Sequence, residues 1–154
     1  MFILILTPLL FINIRNLVIR NNSYFKNNNG LWQFYLNQAK VIYNDAGGKF
    51  GWYVYSADQY GYSPKYAMHF VQRSIQNKQG FSFEKQPTTY LIISPSTNKY
   101  TNVKDWKREK VYIIGKPNKT FFFKGGSYIE KYILSPEELQ VLSSTDLIQD
   151  LTFR

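Results

Sequence analysis

Apolar and polar positions divide the chain sharply. Residues 1–14 form an apolar run without a charge, and Arg15, Arg20 and Lys26 follow it. Beyond Asn27-Asn-Asn-Gly30, the spacing of Leu31, Phe34, Tyr35, Ala39, Val41 and Ile42 predicts an amphipathic helix reaching Asn44. Phe50, Trp52 and Val54 then alternate with Gly51, Tyr53 and Tyr55, which predicts a strand with aromatic groups on both faces. Ser63-Pro64 pairs an N-cap residue with proline at the first helical position. The helix it starts should turn Tyr66, Ala67, Phe70, Val71 and Ile75 inward and end before Gly80.

A second strand is expected at 88–93, stopped by Ser94-Pro95. Strand, helix and strand in this order predict a right-handed βαβ unit with parallel strands. A short helix is expected at 102–109, and strands at 110–114, 120–124 and 128–134. Gly125-Gly126 provides a turn that joins the last two strands as an antiparallel hairpin. Ser135-Pro136-Glu137-Glu138 starts another helix, its carboxylates at the positive end of the dipole. The expected fold class is α+β: an N-terminal membrane helix, then a small mixed-sheet domain with a βαβ unit and a C-terminal antiparallel hairpin. The division falls at residues 1–25, membrane helix and juxtamembrane segment, and 26–154, one soluble domain.

The apolar run is short for a bilayer. It reaches the roughly 20 residues of a spanning helix only if Leu17, Val18 and Ile19 continue it past Asn13 and Arg15. No basic stretch precedes it and no small-residue cleavage site follows, which argues against a secretory signal. A membrane helix that starts at the first residue is expected of the last helix of a longer multi-pass protein. The bases on its C-terminal side predict a cytoplasmic domain by the positive-inside rule.

The chain has no cysteine, so disulfides and thiolate chemistry are excluded. Its formal charge of +9 suggests a polyanion partner, but the lysines are scattered, and acids interrupt the densest run, Lys104-Asp-Trp-Lys-Arg-Glu-Lys110. Codon bias toward AT-rich triplets yields the same basicity. Nucleic-acid binding requires clustered charge, so the distribution argues against it. An anionic membrane surface is the more natural partner for Arg15, Arg20 and Lys26.

No nucleophile elbow, phosphate-binding glycine loop or dinucleotide fingerprint occurs, and no cofactor is expected. His69, the one histidine, lies in a helix away from acidic clusters and reads as a packed or surface residue. Glu137 and Glu138 read as helix-capping carboxylates. The segment between the first strand and the next helix holds Tyr60, Tyr62 and Lys65, and Ser94 and Ser96 leave the second strand at the same edge. Ligands of parallel sheets collect in such a crevice. Tyr60 and Tyr62 would offer flat faces to a sugar and Lys65 would meet a phosphate. Alternatively, the tyrosines close the sheet edge over the core.

The strings Asp45-Ala-Gly-Gly-Lys-Phe-Gly-Trp-Tyr-Val-Tyr55, Tyr60-Gly-Tyr-Ser-Pro-Lys-Tyr66 and Gly126-Ser-Tyr-Ile-Glu-Lys-Tyr-Ile-Leu134 resemble the C-terminal soluble region of a bacterial family. These are multi-pass glycosyltransferases that use polyprenyl-phosphate sugars and are similar to protein mannosyltransferases. The resemblance covers residues 30–134, preceded by what would be the last membrane helix. It implies a cell-membrane location with the domain outside the cytoplasm, against the charge rule. It also implies partners: the lipid bilayer, a polyprenyl-phosphate sugar or acceptor glycan, and the catalytic membrane portion of a full-length protein. That family's catalytic acids lie in its first external loop, so no catalytic residue carries over. The expected function is a membrane-tethered accessory domain without turnover of its own. The alternative is a stand-alone membrane-anchored module that binds glycans or anionic polymers.

Overall fold

The structure is a computed structural model that describes residues 13, 15, 32–56, 61–75, 77–94 and 102–147. The expected membrane helix lies outside these residues apart from Asn13 and Arg15. Among the described residues, no helix is long and apolar enough to cross a membrane.

Helix α1, Trp32–Asp45, buries Leu36, Ala39, Ile42 and Tyr43 at helical spacing. It leads into strand β1, Lys49–Tyr55, which is buried along nearly its whole length. Helix α2, Tyr62–Ser74, returns over the sheet, and β2, Gln79–Ser82, pairs in parallel with β1. Strand β3, Thr88–Ile93, pairs with β1 on its other side, also in parallel. Helix α3, Val103–Trp106, continues as a π-helical segment, Lys107–Val111. The hairpin β4, Lys119–Phe122, and β5, Tyr128–Ile133, adds antiparallel pairs. The sheet therefore has five strands in the order β2-β1-β3-β5-β4 and is mixed. Helix α4, Pro136–Gln140, and a 3-10 turn, Thr145–Leu147, complete an α+β fold.

Alternation along the strands separates two cores. Phe50, Trp52, Val54, Tyr90 and Ile92 face α1 and α2, joined by Ala67, Met68 and Val71. Tyr53, Tyr55, Leu91, Ile93 and Tyr132 face the opposite side. There Trp106, Val111, Ile113, Leu134, Leu139 and Leu147 cover them. The sheet thus lies between a two-helix layer and a layer built from the C-terminal third of the chain.

The parallel β1–β3 pair and the C-terminal hairpin agree with the sequence expectation, but four details differ. Strand β2 was not expected. Residues 110–114 are not a strand, because the backbone winds through the π-helical segment and ends with Tyr112 in the left-handed region, φ 56°. Helix α2 is capped by Gly61, two residues ahead of the expected Ser63 cap. It also turns Tyr66 and Phe70 outward, burying Lys65 and Met68 in their place. The hairpin turn follows the expected chemistry, with Gly125 and Gly126 at φ 77° and 81°. The α4 capping box is complete. Glu138 N donates to Ser135 Oγ at 3.3 Å, and Ser135 N donates to Glu138 Oε2 at 3.1 Å.

Candidate functional site

Of the crevice residues expected from sequence, Tyr62, Lys65 and Ser94 are described, and their exposures differ. Tyr60 and Ser96 lie outside the described residues. Tyr62 is exposed on the outer side of α2. Lys65, placed by sequence reasoning to meet a phosphate, is only 3% exposed. Its amine rests over the Phe83 ring, 4.8 Å from the centroid. The helix dipole disfavours a cation in the first turn of α2, and the aromatic face offers compensation. Ser94 is half-buried, and its backbone N–H donates to Tyr55 O at 2.9 Å, extending the β1–β3 ladder.

A concavity of about 480 Å³ lies on the other face of the sheet, under the C-terminal segment. Tyr53 and Phe83 line it from the sheet side, with Glu84 and Lys85. Leu139, Val141, Leu142, Ser143 and Thr145 line it from the C-terminal side. Its floor depends on Gly51. A Cβ there would collide with the Glu84 carbonyl and touch Gln86 N at 3.0 Å, so only glycine lets the β2–β3 connection cross the strand this closely. Phe83 turns the chain onto this path in the left-handed region, φ 54°. Its N–H donates to Trp52 O at 2.8 Å. Thr89 Oγ1 holds the far end, donating to Gln86 O at 2.7 Å.

Lys85 fixes the opposite wall. Its Nζ donates to Tyr112 O, Glu138 O and Val141 O, each at 2.9 Å. These carbonyls include ones left unpaired where α4 ends, so the ammonium acts as a C-cap supplied by a distant segment. Burial lowers the Lys85 pKa, opposed by the Glu138 charge. Tyr53 OH and Ser143 Oγ share a hydrogen bond at 2.5 Å across the cavity. Burial pushes Tyr53 up to about 12, against the Ser143 hydrogen bond and with help from Glu84, so the phenol is neutral at physiological pH. The cavity therefore presents neutral hydroxyls, one carboxylate and an apolar wall.

Two ion-pair networks hold the layers together. On the cavity side of the sheet, Lys107 Nζ donates to Glu130 Oε1 and Oε2 at 3.1 and 2.9 Å, and Tyr132 OH donates to Oε2 at 2.7 Å. Burial and this hydrogen bond raise Tyr132 far above its ordinary range. On the helical side, Asp45 accepts from Lys119 and Lys131, both at 2.7 Å, and from Tyr90 OH at 2.8 Å. His69 packs edge-on to Trp52 at 5.6 Å, as expected of a structural histidine. Among the described residues, no group of three or more histidine, aspartate or glutamate side chains could hold a metal ion.

Sequence reasoning missed this cavity because its lining comes from segments far apart in the chain. The available signals were Gly51 within an aromatic strand, a common mark of close backbone approach, and the hydroxyls of Ser143 and Thr145. Comparison with known family models, characterised proteins and solved structures finds no match to this chain.

Proposed function

We propose that the chain is a glycan-binding accessory domain, tethered to the membrane by its N-terminal apolar run, of a lipid-linked-sugar glycosyltransferase. The observation that carries this reading is the Tyr53–Ser143 cavity. Its volume of about 480 Å³ falls in the range of small-ligand sites. Ser143 and Thr145 can donate to or accept from sugar hydroxyls, Glu84 adds an acceptor, and the buried Tyr53 hydroxyl orients Ser143. Phe83 and Leu139 offer apolar surface to the C–H face of a ring. An anion is a poorer fit: Glu84 lines the cavity, and the Lys85 ammonium is committed to three carbonyls.

Such a domain makes and breaks no bond. It holds an acceptor glycan close to the membrane and so raises its effective concentration at a catalytic portion in the same protein. The resemblance to polyprenyl-phosphate-sugar glycosyltransferases supports this placement, on the extracytoplasmic side. Titration of the full chain with neutral oligosaccharides tests the reading. Tyr53→Phe keeps the ring and removes the hydroxyl, and the loss of one hydrogen bond should weaken binding about five- to tenfold. Tyr62→Ala, on the other side of the sheet, should leave it unchanged. Absence of binding to every neutral oligosaccharide, or equal affinity for Tyr53→Phe and the unaltered chain, would overturn the proposal.

A further inference from the structure

Four large aromatic groups stand together on the outside of the two-helix layer. Tyr62, Tyr66 and Phe70 recur every fourth residue along α2 and are 52%, 47% and 50% exposed. Trp32, the first residue of α1, is 39% exposed. Its ring lies 5.3 Å from Tyr66 and 5.5 Å from Phe70. These rings form a continuous apolar surface with polar tips, on the face away from the cavity.

The charge of this layer is one-sided. Lys40 and Arg73 are exposed on α1 and α2. The single acid of the two helices is Asp45, already held by Lys119 and Lys131. The carboxylates of Glu84, Asp105, Glu109, Glu137, Glu138 and Asp146 belong to segments of the other layer. Trp32 on this face follows in sequence the stretch that holds the apolar run and Arg15, Arg20 and Lys26.

We infer that this aromatic face lies in the headgroup region of an anionic bilayer. Tryptophan and tyrosine favour that depth because it accommodates an apolar ring and a polar tip together. Among the described residues of the two helices the one carboxylate, Asp45, is already ion-paired, so the layer meets anionic headgroups with little repulsion, and its bases attract them. The sheet then separates the bilayer from the cavity, which opens toward water, where an acceptor glycan rather than a lipid-linked donor would reach it. This orientation rests on the tether in the proposed function, and the experiment separates the two.

The full chain is reconstituted with phosphatidylglycerol–phosphatidylcholine vesicles, with and without lipids brominated near the headgroup. Trp32 emission is taken as the difference between the chain and Trp32→Phe, since Trp52 and Trp106 remain in both. The inference expects the Trp32 component to be quenched, and to recover in a Tyr66→Ser/Phe70→Ser variant that stays bound through the tether. Vesicle binding with an unquenched Trp32 overturns the face and leaves the tether intact. A chain carrying Leu6→Asp and Leu10→Asp that still binds and is quenched overturns the tether and leaves the face. No vesicle binding overturns both. Concentration-dependent dimerisation abolished by Trp32→Phe, with no quenching, assigns the face to a second copy and overturns the inference.

Discussion

Replacing Asp45 with asparagine removes one charge and keeps the side-chain shape. Asp45 is the last residue of α1, where the helix dipole disfavours a carboxylate. It is retained by Lys119 on β4, Lys131 on β5 and the Tyr90 hydroxyl on β3. Lys119 and Lys131 are direct cross-strand partners, so the carboxylate also separates two like charges. Burial alone would raise the Asp45 pKa. The three hydrogen bonds outweigh it and lower the group from 3.8 to about 2. At about 1.4 kcal/mol per pH unit, the displacement bounds the stabilisation at roughly 2 kcal/mol. Lys119 is half exposed, and screening brings the expected value to about 1–1.5 kcal/mol.

The folded-state pKa is depressed, so this stability is complete above pH ~4 and fades as pH falls toward ~2. Urea denaturation of the full chain and of Asp45→Asn, followed by tryptophan fluorescence, measures it. The variant should be less stable by about 1–1.5 kcal/mol at pH 7 and indistinguishable near pH 2. A constant difference between pH 7 and pH 2, or none at pH 7, would show that the Asp45 charge does not stabilise the fold.

Two further substitutions probe the core and the cavity floor. Gln38 is 1% exposed, and neither of its amide atoms has a protein hydrogen-bond partner, so Gln38→Met should raise stability by about 1 kcal/mol in the same assay. A loss of stability would contradict the reading of that amide as unsatisfied. Gly51→Ala should destabilise by about 2–3 kcal/mol, because strand and connection must part to admit the methyl group. The shift of Phe83, Glu84 and Lys85 should also weaken oligosaccharide binding, and an unchanged melting temperature would contradict it.

Local rules carried much of the fold. Helical spacing placed α1, alternation placed β1, the stop at Ser94-Pro95 placed the end of β3, paired glycines placed the hairpin, and the Ser135-Pro136 start placed α4. Where local rules failed, tertiary contacts had overridden them. Helix α2 is apolar on both sides, and the small residues Ala67 and Val71 fit against the sheet while the larger Tyr66 and Phe70 face outward. Residues 110–114 alternate like a strand. In the fold, Lys107 meets Glu130, Val111 enters the core and the backbone winds instead. Strand β2 has four residues and no apolar alternation to mark it. The cavity joins Tyr53 to Ser143, 90 residues apart, a juxtaposition that local pattern does not encode. Lys65 was identified by its position at a helix start, but its direction depends on a Phe83 conformation that sequence does not signal.

On the proposed function, a neutral sugar occupies the cavity under the C-terminal segment. Amide chemical-shift mapping of the isotope-labelled full chain, with a saturating neutral oligosaccharide, tests it most directly. Shifts should concentrate at Tyr53, Phe83, Lys85, Ser143 and Thr145, all cavity residues. Shifts concentrated at Tyr62 and Ser94, or none at saturation, would contradict it.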